Sequence, residues 1–190
     1  MQRIKAPRRL RGMQDFPEEP PRRLLVPKPV EALEETLDLS DPLVNEIWGR
    51  MGKQPQDYST AQRVATLKHK KYKTYEGTIP ELITLDWLEQ KKIPHHFQAF
   101  VYGGRNRAGG VVPDFLVWPG GRGIAWFVDT LYWHSKPEIA ASDAVDRQLI
   151  LGGFFEGIRI ETVVALWETR IYTDRPAVFD AAMNGIELGQ

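Results

Sequence analysis

Four acidic residues and one histidine are of the types that carry out water and phosphate chemistry: Glu81, Asp114, Asp129, Asp146 and His134. Asp114 sits where V-V-P-D-F-L-V-W becomes continuously apolar. Asp129 follows fifteen positions later inside I-A-W-F-V-D-T-L-Y-W-H, the run that His134 closes. A carboxylate in an apolar strand must be paired, hydrogen-bonded or metal-bound, because burying it alone costs several kcal/mol. Adjacent hairpin strands can bring Asp114 and Asp129 within reach of each other, and a divalent cation is the usual remedy for two repelling carboxylates. With Cys 0 the available donors are Asp, Glu, His and backbone oxygen, so Mg²⁺ is the expected metal, with Mn²⁺ as a substitute. A cation held that way polarises a phosphoryl oxygen and activates water, while a nearby histidine moves the proton. The residues therefore point to metal-dependent phosphodiester hydrolysis. Each also has a plainer role open to it. Asp114, after Pro113, can start a strand and accept a backbone amide; Asp129 can pair with an arginine of the R-N-R loop; Glu81 can serve as a capping-box residue; His134 can be a hydrogen-bonded core or rim residue.

The elements that must position these groups follow from periodicity and punctuation. Six prolines among residues 1–30 predict an extended arm with little regular structure. A short acidic helix is expected over 30–39, and a second from Pro42 to Met51, capped by Asp41, with Leu43, Val44, Ile47 and Trp48 at helical spacing. A third opens at Ser59 or Thr60 and carries Lys68, Lys70 and Lys71. After Gly77, Thr78 is the expected cap of an amphipathic helix with Pro80 in its first turn and Glu81 three residues on, stopped by Pro94. Leu82, Leu85, Trp87 and Leu88 supply its buried stripe. Strands are predicted over 96–102, 111–118 and 123–132, with Pro119-Gly120-Gly121 as the turn between the last two. A helix over 139–151 bearing Asp143, Asp146 and Arg147, a β-branched strand over 158–167 and a closing helix over 176–184 complete the order. This order predicts an α/β or α+β domain over 76–190, with 1–75 as a basic, Pro-rich arm with short helices.

The formal charge is zero, from 25 basic and 25 acidic side chains, but it is unevenly distributed. Residues 1–28 and 58–73 each carry a net +5, whereas 29–57 and 74–190 each carry −5. Basic blocks of this kind suit nucleic acid, since each neutralised phosphate releases counterions. Lys68, Lys70 and Lys71 are candidate contacts, and DNA is the expected partner. No apolar run approaches the roughly 18 residues of a membrane span, and the first residues hold no apolar stretch of signal-peptide length. The expectation is a protein without a membrane span, cytoplasmic or associated with a virion. The 42% hydrophobic content suffices for a packed core.

The order of the pieces is more specific than any one of them. Glu on a first helix is followed by P-D-F at a strand start, a strand ending Y-W-H, D-R on a helix and a strand ending W-E. This order resembles the PD-(D/E)XK nuclease superfamily, in particular its very-short-patch mismatch-repair endonuclease branch and phage-encoded relatives. The segment G-G-R-N-R-A-G-G-V-V-P-D-F is similar to the phage proteins, and the resemblance spans about residues 76–170. It implies a restriction-endonuclease-like core, a central mixed sheet flanked by helices, in a prokaryotic or phage DNA endonuclease. It further implies Asp114 as the principal metal ligand, and a second ligand from the Asp129 carboxylate or the Val128 carbonyl. His134 would be the general acid or base, oriented by Asp146 or Asp143; Glu81 would hold a metal-bound water; Arg105 and Arg107 would bind backbone phosphate. Nuclease domains of this kind often pair, so a homodimer is a further expectation. Two departures stand out. Asp129-Thr130-Leu131 lacks the lysine that the superfamily places after its second acid, a loss that His-using branches tolerate. Thr130 stands where these relatives usually carry Gly. The alternative is a non-catalytic virion or interaction protein with a degenerate nuclease fold, whose N-terminal arm threads along phage structural partners.

Overall fold

Helix starts are where local chemistry is most explicit. Asp41 Oδ1 accepts the Leu43 amide at 2.8 Å and Pro42 occupies the first turn, which sets helix α1 at Pro42–Arg50. The computed structural model describes residues 41–69, 77–104, 110–130 and 137–190. The arm over 1–40, with its expected acidic helix, lies outside the described residues. A short 3₁₀ turn, Pro55–Asp57, leads into α2 (Tyr58–His69). Helix α3 (Ile79–Gln90) begins at Thr78 as expected, and the Thr78 N–H donates to Glu81 Oε2 at 2.7 Å, the return half of a capping box.

The strands are shorter than the apolar runs suggest. β1 is His95–Phe97, β2 Phe115–Val117 and β3 Gly123–Asp129; helix α4 (Pro137–Ile150) then precedes β4 (Phe154–Phe155) and β5 (Ile158–Trp167). Two helices, α5 (Glu168–Thr173) and α6 (Arg175–Met183), close the fold. The run 96–102 does not stay a strand, because Gln98 takes φ +50° and bends the chain away after its amide bonds Asp114 O at 2.8 Å. The chain returns through a single bridge, Val101 to Val111.

The result is an α/β protein with one mixed five-stranded sheet in the order β1-β2-β3-β5-β4. β1, β2 and β3 pair antiparallel, β3 and β5 run parallel across the α4 crossover, and β4 pairs antiparallel with β5. Phe97, Phe115, Val117, Ile124, Trp126, Val164 and Leu166 face one side, where they meet Leu82, Ile83 and Leu88 of α3 and Val178 and Phe179 of α6. The opposite side is smaller: Leu116, Ala125 and Ile160 pack against Ile150 of α4 and the crossing segment Ala99, Val101 and Val111.

Helices α1 and α2 fall within the stretch read from sequence as the arm, and they share the larger of these cores. Val44, Ile47, Met51, Ala61, Val64 and Ala65 are all buried in it. Polar clamps reinforce the packing. Arg63 donates from Nε and Nη2 to the buried Asp86 carboxylate at 2.7 and 2.9 Å, and Arg175 pairs with Asp57. Buried almost all round, α3 thus lies between the α1–α2 layer and the sheet. Among the described residues, no helix is long and apolar enough to cross a membrane.

Where β3 begins against β5, the backbones come unusually close and the register shifts between Gly123 and Ile124. A Cβ on Gly123 would lie 2.5 Å from Arg159 O and 2.9 Å from Ile158 Cγ2. Gly123→Ala should therefore destabilise by about 1–3 kcal/mol as the strands are pushed apart. Urea unfolding reads this directly, and an unchanged midpoint would contradict the close approach.

Candidate functional site

Three elements deliver the predicted acids to one end of the sheet. Antiparallel pairing sets the start of β2 beside the end of β3, so Asp114 stands next to Val128 and Asp129. The first turn of α3 brings Glu81 from the side of the larger core. The Val128 N–H donates to Asp114 Oδ2 at 2.7 Å. In a strand the N–H and C=O of one residue point to the same side, so the Val128 carbonyl also faces the Asp114 side.

Glu81 and Asp114 form a hydrogen-bonded pair of carboxyl groups. Burial pushes the Asp114 carboxyl up to about 8, helped by repulsion from Glu81, by their shared hydrogen bond and by the charge of Asp129; the Val128 amide pulls the other way. At neutral pH the Asp114 carboxyl therefore keeps its proton. Among the described residues, no group of three or more His, Cys, Asp or Glu side chains could hold a metal ion.

Asp129 is only 5% exposed and its charge is met by Arg147, whose Nη2 pairs with Oδ2. The Arg147 guanidinium also lies 5.3 Å from the Phe127 ring centroid, so the aromatic face and the carboxylate hold it together. Arg147 Nε and Thr130 Oγ1 are buried beside this pair without a hydrogen-bond partner among the described residues. The sequence offered a signal for this arginine: a buried strand acid needs a cation, and Arg147 is the only arginine between residues 123 and 158. Its neighbour Asp146, expected to orient the histidine, has no hydrogen-bond or ion-pair partner among the described residues.

Two of the plainer sequence roles are realised alongside the pair: Asp114 accepts a backbone amide and Glu81 caps its helix. Lys68, read as a nucleic-acid contact, directs its Nζ to the Gly77 carbonyl at 2.8 Å. His134, Arg105, Arg107, Lys70 and Lys71 lie outside the described residues. Glu81, Asp114 and the Val128 backbone are thus brought together, and Asp129 lies beside them, held by Arg147.

Compared with known proteins, the chain gives no significant match to a family model, a curated protein or a solved structure.

Proposed function

We propose that the chain is a metal-dependent DNA endonuclease of the restriction-endonuclease-like kind, with its centre at Glu81 and Asp114. The observation that carries this reading is the Glu81–Asp114 carboxyl pair at the end of a mixed sheet, where strand order and crossover put the carboxyl end of β3. Ligand sites in open α/β sheets lie beyond such strand ends. The pair fits a hard divalent cation: its donors are oxygens, and two close carboxyl groups are costly to ionise together without one. Mg²⁺ commonly takes one or two carboxylates and completes its shell with water, so a cluster of three acids is not required.

Asp114 and Glu81 would hold the cation, with the Val128 carbonyl on the same side. The bound cation supplies the charge that polarises a phosphodiester and activates water. Arg147 meets the charge of Asp129 and so limits, without removing, the repulsion that this carboxylate adds at the pair. His134, five residues beyond Asp129, is the proton carrier in this reading, and Arg105 and Arg107 contact backbone phosphate.

One observation favours the non-cutting alternative. Asp129, the second acid, already has its countercharge in Arg147 and so is not free to act as a ligand. Purified protein incubated with plasmid and linear duplex DNA is expected to cut with Mg²⁺ or Mn²⁺ and to stop on chelation. No cleavage with either metal on any duplex, mismatched or branched substrate would leave only a binding or structural role.

A further inference from the structure

The carboxyl pair depends on Glu81 being held at the mouth of α3, and one peptide group does this. The carbonyl of Gly77 and the amide of Thr78 belong to the same planar unit and point in opposite directions. Lys68 Nζ donates to that carbonyl at 2.8 Å, and that amide donates to Glu81 Oε2 at 2.7 Å. A cation from the last turn of α2 and an acid from the first turn of α3 are therefore joined through a single peptide dipole.

We propose that Lys68 is a positioning residue for the candidate metal site, acting on Glu81 through the Gly77–Thr78 peptide; this inference rests on the nuclease reading above. The ammonium polarises the carbonyl, which strengthens the amide at the other end as a donor, because hydrogen bonds in series reinforce one another. The tie closes the connection between α2, which ends at His69, and α3, which begins at Ile79. The same turn of α2 is anchored on its other side, where His69 Nε2 lies 2.9 Å from Asp41 Oδ2 at the start of α1.

Gly77 is suited to the arrangement. A Cβ there would lie 3.2 Å from Glu81 Oε2 and from Leu82 Cδ2, and 3.3 Å from Phe97 Cζ. The bare backbone lets the peptide lie between the ammonium and the carboxylate without a side chain displacing Glu81. Lys68 thus supplies positive charge behind one acid of the pair.

The test uses the full chain as wild type, Lys68→Met and Lys68→Arg. Amide exchange and the ¹H–¹⁵N shift of Thr78, measured in metal-free buffer, report the peptide link itself. Lys68→Met should speed exchange of this amide by about tenfold relative to wild type and move its proton upfield, and Lys68→Arg should restore both. The half-saturating Mg²⁺ concentration, from cleavage and from thermal shift, should rise about tenfold in Lys68→Met, with cleavage at saturating Mg²⁺ within about threefold of wild type. A purely structural lysine would lower the melting temperature and leave the Mg²⁺ dependence unchanged. An unmoved Thr78 amide in Lys68→Met overturns the inference whether or not metal binds. A Thr78 amide that responds in a chain showing neither Mg²⁺ binding nor cleavage overturns the nuclease reading while leaving the peptide link in place.

Discussion

Asp114→Asn should stop cleavage and, in metal-free buffer at pH 8–9, make the protein more stable. The two effects have one cause. In the folded chain the Asp114 carboxyl is pushed up to about 8, first by burial and then by Glu81, whereas an unfolded aspartate ionises near its ordinary 3.8. Below about pH 4 both states hold the proton and the group contributes nothing to the pH dependence. Between about 4 and 8 the unfolded chain releases the proton while the folded chain retains it, so wild-type stability falls as pH rises; above about 8 the penalty levels off. Asparagine imitates the protonated acid at every pH, since its oxygen can accept the Val128 amide and its nitrogen can donate to Glu81. The gain should be near zero at pH 4 and largest at pH 9, read as a melting temperature higher than wild type by several degrees. Mg²⁺ should narrow this gap. At a hundredfold excess over Kd it stabilises wild type by about 2.7 kcal/mol and leaves the variant unmoved. Cleavage should drop by about 10³-fold or more, equivalent to roughly 4 kcal/mol on the barrier. Thermal melts across pH 4–9, with and without Mg²⁺, check every part. A variant that is less stable than wild type at pH 9, or that keeps its Mg²⁺ response, would place the cation site elsewhere.

The largest effect on folding is expected at Trp126. This fully buried ring sits mid-way along β3 and stacks at 9° to Phe179 of α6, with centroids 6.3 Å apart. Phe179 in turn meets Trp87 of α3 at 4.7 Å, so one indole links sheet, central helix and closing helix. Trp126→Ala leaves a cavity at that junction and should cost about 3–5 kcal/mol. Trp126→Phe should be far milder, below about 1.5 kcal/mol, because it keeps the ring and loses an indole N–H that has no hydrogen-bond partner among the described residues. Urea midpoints of the two variants separate volume from hydrogen bonding. Equal losses would mean that the indole nitrogen, and not the ring, is what the site requires.

The most legible parts of the chain were those governed by local chemistry. Asp41-Pro42 and Thr78-Ile79-Pro80-Glu81 set two helix starts through their own side chains, and the β-branched run 158–167 is a strand over its whole length. Long-range pairing was much less legible. The apolar run around Asp114 gave only a three-residue strand, because Pro113 offers no amide to the ladder and the chain before it turns away. Helix α4 concealed the face that it buries: Val145 and Leu149 are large, apolar and exposed, so hydrophobic spacing gave no indication that Arg147 points to Asp129. Likewise, Val44 and Ile47 were readable as one face of a helix, but nothing local says that this face belongs to the same core as Phe179. For the site, the acids could be picked out from sequence, and the Glu81–Asp114 contact depended on a tertiary meeting of α3 with β2.

The clamps between the first and last helices also dictate when the molecule can be finished. Arg175 must reach Asp57 and Arg50 must reach Tyr172, spans of 118 and 122 residues. As the chain emerges from the ribosome, α1 and α2 therefore wait for their partners until α5 and α6 have been made. Through that interval the apolar face of α3 has no α6 to cover it, and the Trp126–Phe179 stack cannot form. Contacts so distant along the chain favour slow, late consolidation. A nascent copy thus has its acids long before it has the packed core that holds them together.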